Sequence, residues 1–134
     1  MSTTIPHAAT DLTEAREAVL ATIGPDGRPQ LSLVWFLYDD GRFRVSLNTT
    51  RQKVKNLNAN PAVTLFVIGD GGMRYLEVRG DATLTPDPDY DFATRIGTKY
   101  GAFDAREMDG PDGRRVVLDI DPARVNFVDM TAAT

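Results

Sequence analysis

The chain contains no cysteine. That excludes disulfides and thiolate metal sites, and it fits a cytoplasmic protein. Histidine is almost as scarce, with only His7, near the N-terminus. A Ser-His-Asp or Cys-His arrangement therefore has no base in the body of the chain, and a histidine-bound zinc or copper site has no ligands. No run is apolar enough to span a bilayer. The first ten residues have neither the basic nor the apolar region of a signal peptide, so none is expected. Nineteen acidic residues outnumber fifteen basic ones, for a net charge of −4. The basic footprint of a nucleic-acid binder is missing. So are the GxGxxG and Walker phosphate motifs. Asp109, Asp112 and Asp119 lack calcium-loop spacing. An enzyme built on this chain would carry its reactive atom on a bound cofactor rather than on a side chain.

What is present suits a packed core. The 134 residues are 42% hydrophobic and 25% charged, near the averages for a globular protein. They are expected to form a single domain over 1–134, with 1–10 as a flexible start. Proline and glycine recur at short intervals, as in a sheet of short connections.

Residues 11–18 read as a short helix and 19–23 as a strand. Gly24-Pro25-Asp26-Gly27 is a turn. Residues 29–38 read as one strand, apolar on both faces: Leu31, Leu33, Trp35 and Leu37 on one, Val34, Phe36 and Tyr38 on the other. Such a strand suits a barrel wall that also meets a helix, a partner subunit or a ligand. Asp39-Asp40-Gly41 closes a hairpin to a strand at 42–48, with Phe43, Val45 and Leu47 facing inward. A helix at 52–58 buries Val54 and Leu57 and turns Lys53 and Asn56 elsewhere. Strands follow at 62–68 and 73–84, then a helix at about 89–100, a loop at 101–113, and strands at 115–120 and 125–128 separated by Pro122. The fold class is mainly β, six to seven antiparallel strands with small helices.

Two stretches carry candidate chemistry. In Thr49-Thr50-Arg51-Gln52-Lys53, hydroxyls, helix-start N–H groups and two cations converge after a strand. That combination suits an oxyanion such as phosphate. Lys53 and Lys55 are also two of only three lysines in the chain. Taken by itself, a cation run of this kind is more often plain surface. Gln30 and Ser32 share one orientation on their strand, where they and Trp35 suit the edge of a heteroaromatic ring, although a core tryptophan on a half-buried strand explains them as well. Glu77 and Arg79 read as a same-face ion pair and Gly80 as a bulge. Met73 and Tyr75 are weaker candidates for ligand contact.

Four segments, LATIGPDGRPQLSLVWF, NTTRQKVKNLNANPAVTL, MRYLEVRGDATLTPDP and RRVVLDIDPARV, occur in an order and spacing that resembles the pyridoxamine 5′-phosphate oxidase-like split β-barrel proteins. Among these the chain is most similar to the group using the deazaflavin coenzyme F420. The resemblance implies an FMN-binding split-barrel fold and a homodimer with cofactor sites between subunits. It implies a phosphate of F420, or alternatively FMN, near Thr49, Thr50, Arg51 and Lys53, with Lys55 close by. The ring would lie along the strand bearing Gln30, Ser32 and Trp35. Met73 and Tyr75 would approach it, from the same or the other subunit. The implied activity is hydride transfer from reduced F420 to an unsaturated small molecule. An FMN-dependent oxidoreductase and a non-enzymatic F420 or flavin carrier or sensor are the alternatives.

Overall fold

The computed structural model describes residues 4–101 and 104–131. Seven strands form one antiparallel sheet: β1 (Glu17–Ile23), β2 (Pro29–Val34), β3 (Leu37–Asp39), β4 (Arg42–Asn48), β5 (Ala62–Gly69), β6 (Arg74–Pro86) and β7 (Arg115–Asp129). Their order across the sheet is β2-β1-β5-β6-β7-β4-β3. Helices α1 (Gln52–Ala59), α2 (Asp91–Tyr100) and α3 (Ala105–Asp109) fill the connections. The mainly β, split-barrel class expected from the sequence is what is found.

The order explains the barrel. β2 and β3 lie at opposite ends of the sheet, yet only Trp35 and Phe36 separate them in the chain. So short a link spans about 10 Å at most. The sheet must therefore curl until its ends nearly meet. The expected single strand at 29–38 is thus two strands: one pairs with β1 through Ala18↔Val34, the other with β4 through Leu37↔Arg44. Continuous apolar sequence could not reveal a change of pairing partner. The break is pinned from outside the sheet. The Phe36 N–H donates to the Tyr100 hydroxyl at 3.2 Å, and Lys99 Nζ donates to the carbonyls of Phe36 and Ala15 at 2.9 and 2.8 Å. Burial there pulls the Lys99 amine down to about 8, against the opposing charge of Glu14.

Inside, Phe36, Phe43, Leu20, Leu65, Leu76, Leu118 and Ile120 are fully buried. Phe43, Val45 and Leu47 alternate inward as their spacing required. Asp40 and Gly41 both have positive φ, the turn that suits the right-handed twist of a hairpin. The register shift between Arg79 and Gly80 is the expected bulge. A Cβ at Gly80 would collide with the Asp121 carbonyl oxygen.

Four local readings are corrected. Residues 115–129 form one strand, not two; Gly80 pairs with Pro122 and Arg79 with Arg124, so the chain absorbs the proline at the bulge. The helix expected at 11–18 is a 3₁₀ segment at His7–Glu14, and β1 already begins at Glu17. Part of the expected flexible start is tied down: Ala9 is buried, and Arg74 grips the Asp11 carboxylate and the Ala8 carbonyl. Residues 1–3 lie outside the described residues. The expected loop at 101–113 contains α3, while 102–103 also lie outside the described residues. Among the described residues no helix is long and apolar enough to cross a membrane.

Candidate functional site

Where the two ends of the curled sheet approach each other, a cavity of about 520 Å³ opens. Leu33, Val34 and Trp35 wall it on one side, and Ser46, Leu47 and Asn48 on the other. Ile96 of α2 and Met108 of α3 add apolar surface. Its charge is lopsided. Arg16, Arg51, Lys53 and Arg115 line it, against one carboxylate, Glu17. A protein of net charge −4 thus gathers positive charge in its groove, which attracts anions into a low-dielectric cleft.

Local structure explains why Arg51 and Lys53 come together there. β4 ends at Asn48, and α1 starts at Gln52 with no side chain capping it. Lys53, in the first turn, reaches back to β2, where Nζ donates to Ser32 Oγ at 3.0 Å. Burial, helped by the nearby Arg51 charge, pulls the Lys53 amine below the ordinary lysine value of 10.5. Neither cation makes an ion pair with a carboxylate of the described residues. An anion at this end of the groove would relieve their repulsion, so the residues present fit a phosphate.

The other candidates fall into distinct places. Ser32 belongs to the site through Lys53. Trp35 lines the groove and stacks on Tyr100, ring centroids 4.6 Å apart. Gln30 is engaged elsewhere: its Oε1 accepts from Asn56 Nδ2 at 2.9 Å. Asn56 was expected to point away from the core, but it is buried and also donates to Thr22 Oγ1 at 3.1 Å. This polar knot fastens α1 to β1 and β2. A helical period marked Val54 and Leu57 as the apolar face, and it had no means of marking a buried amide beside them.

The backbone donors differ from expectation. The N–H groups of Thr49, Thr50 and Arg51 are already bonded, to Arg114 O, Asn48 Oδ1 and Asn48 O. The Thr50 hydroxyl donates to Asn48 Oδ1 at 2.8 Å. The grip on an anion therefore falls to the side chains of Arg51 and Lys53 and to the first turn of α1. Lys55 is exposed and does not line the groove. Met73 and Tyr75 stand at the start of β6, where Tyr75 packs on Phe66, ring centroids 4.8 Å apart. Neither lines the groove of its own chain.

Sequence reasoning missed Arg115, Asp109 and Asn48. Arg115 Nε and Nη2 bind both oxygens of Asp109 at 2.8 and 2.7 Å, and the Tyr90 hydroxyl donates to Asp109 Oδ2 at 2.8 Å. Burial pushes the Asp109 carboxyl up, but the bonds from Arg115, Tyr90 and Asn48 outweigh it and hold the group below the ordinary aspartate range. A signal existed for Asn48, since Asn-Thr-Thr after a strand is an Asx-turn sequence. None existed for Asp109, two of whose partners, Tyr90 and Asn48, lie 19 and 61 residues away in the chain.

Residues 5–129 match the pyridoxamine 5′-phosphate oxidase family. The pyridoxine/pyridoxamine 5′-phosphate oxidase of Rubrobacter xylanophilus is 34% identical over 107 residues, 77% of this chain and 49% of that enzyme. The chain thus spans about half the length of that curated relative. A solved structure described as an F420 reductase superposes with a TM-score of 0.80 at 35% identity, covering 91% of this chain and 98% of the other. A conserved hypothetical protein from Mycobacterium tuberculosis gives 0.77 at 25% identity, covering 96% and 87%. With the curled seven-stranded sheet and the match over nearly all of its length, the chain belongs to the pyridoxamine 5′-phosphate oxidase family.

Proposed function

We propose that the protein is an F420-dependent oxidoreductase, a cytoplasmic homodimer that passes a hydride from reduced F420 to an unsaturated small-molecule acceptor. The observation that carries this is the pair Arg51 and Lys53, without carboxylate partners among the described residues, in a groove that also offers the apolar surface of Leu33, Trp35, Leu47 and Ile96. The choice of F420 is supported by the likeness to an F420 reductase over nearly the full length of both chains.

When bound, the deazaflavin ring supplies the hydride. The chain supplies the rest. Arg51 and Lys53 hold the phosphate, with Ser32 steering the Lys53 ammonium. Leu33, Trp35, Leu47, Ile96 and Met108 would give the ring apolar surface to lie against. Leu31 and Leu33 on β2 are 65% and 79% exposed, beside the groove. Apolar side chains so bare mark an interaction face. We take a second copy to cover them, and its Met73 and Tyr75 to be the residues that reach the cofactor from the other subunit.

FMN is the second reading. What favours it is that Arg115 and Arg16, the cations available to the acidic tail of F420, are already engaged, Arg115 by Asp109 and Arg16 by the carbonyls of Lys99 and Tyr100. Reoxidation of reduced F420 against quinones, enones and tetrapyrroles decides. Acceptor-dependent reoxidation is expected. Turnover only with reduced FMN would transfer the assignment to FMN, and tight F420 binding without turnover by any acceptor would make the protein a carrier.

A further inference from the structure

We propose that Asn48, oriented by Asp109, is the positioning residue of the anion-binding turn; this rests on the reading of Arg51 and Lys53 as the grip on the cofactor phosphate. Asn48 is buried at the end of β4. Its Nδ2 donates to Asp109 Oδ1 at 2.9 Å. A carboxylate only accepts, so the amide must turn its nitrogen toward Asp109 and its oxygen toward the turn. That oxygen takes the Thr50 N–H at 2.9 Å and the Thr50 hydroxyl at 2.8 Å, and the Asn48 backbone carbonyl takes the Arg51 N–H at 3.0 Å. Three donors of two consecutive residues therefore hang from Asn48. No side chain caps α1 at its own boundary. Asn48 thus sets where the chain leaves β4 and where α1 begins, and with them the placement of Arg51 and Lys53 in the groove.

Asp109 fixes the other end of the relay. Its side chain is 2% exposed and clamped by Arg115 and Tyr90. It closes α3 immediately after Met108, a wall of the groove. One carboxylate therefore ties the residue that shapes the turn to the segment that walls the groove.

The test separates capping from filling space. In Asn48→Ser, the shorter hydroxyl still accepts from the Thr50 N–H but does not reach Asp109; in Asn48→Ala the bond to Asp109 and both bonds from Thr50 are lost. Both variants of the full chain are titrated with F420 by fluorescence and melted without ligand. Both should melt below the parent, because both lose the bond to Asp109, and Asn48→Ala somewhat lower, because it loses the Thr50 bonds as well. Affinity should split: about tenfold weaker for Asn48→Ala, and within about twofold of the parent for Asn48→Ser. Equal losses of affinity in the two variants would overturn the proposal. So would unchanged affinity in Asn48→Ala while Lys53→Ala binds weakly. If Lys53→Ala also bound normally, the phosphate reading itself would fall and take the proposal with it. Should Asn48→Ala not fold, Thr50→Val cuts the same hydroxyl bond from the exposed side; a loss of about threefold supports the proposal and unchanged affinity overturns it.

Discussion

Replacing Lys53 with alanine weakens F420 binding by about 10- to 100-fold, the worth of one hydrogen bond to a charged partner. Lys53 is held against Ser32 of β2 and lines the groove beside Arg51. In the free protein its charge is opposed by burial and by Arg51. A phosphate reverses that balance, because it favours the ammonium form. Binding then takes up a proton wherever the free amine is partly deprotonated. Affinity should accordingly fall as pH rises toward the ordinary lysine value of 10.5, and Lys53→Ala should lose this part of the slope. Lys55→Ala is the control. Its side chain is exposed and outside the groove, so affinity should change by no more than about twofold. Fluorescence titration across the pH range reads both effects. Equal losses in the two variants would mean that general positive charge, not a placed ammonium, attracts the ligand.

Phe36→Ala should destabilise the fold by about 3–5 kcal/mol, the usual cost of emptying a buried phenylalanine site. The ring is fully buried, lies 5.6 Å from that of Phe43, and carries Lys99 Nζ 3.8 Å above its face. Its position raises the stakes beyond volume. Phe36 sits in the two-residue link that joins the ends of the sheet, so the cavity would open where the barrel closes. The melting temperature should drop by on the order of 10 °C or more. A loss below about 1 kcal/mol in urea unfolding would show that the site collapses freely and that closure does not depend on this ring.

Much of this fold could be read from local sequence. Strand β4 followed from the alternation of Phe43, Val45 and Leu47, and α1 from the spacing of Val54 and Leu57. Turns announced themselves through Gly27 and Gly41, both at positive φ. Apart from the 3₁₀ segment at His7–Glu14 and the short helix α3, what escaped was a matter of partners. The apolar stretch 29–38 gives no sign that Val34 pairs with β1 and Leu37 with β4. Pro122 looks like a strand end until the bulge opposite Gly80 is known to accommodate it. The site divided in the same way. Arg51 and Lys53 stood out as a compact run, whereas Asn48, Asp109 and Arg115 meet across 61 and 6 residues of chain.

The most direct measurement is a fluorescence titration of the full chain with F420 beside the same deazaflavin lacking its phosphate-bearing tail. Binding of F420 in the micromolar range or tighter is expected, with the tail-less ring weaker by at least about tenfold. Equal affinity for the two, or no binding of F420, would contradict a groove that takes its cofactor by the phosphate.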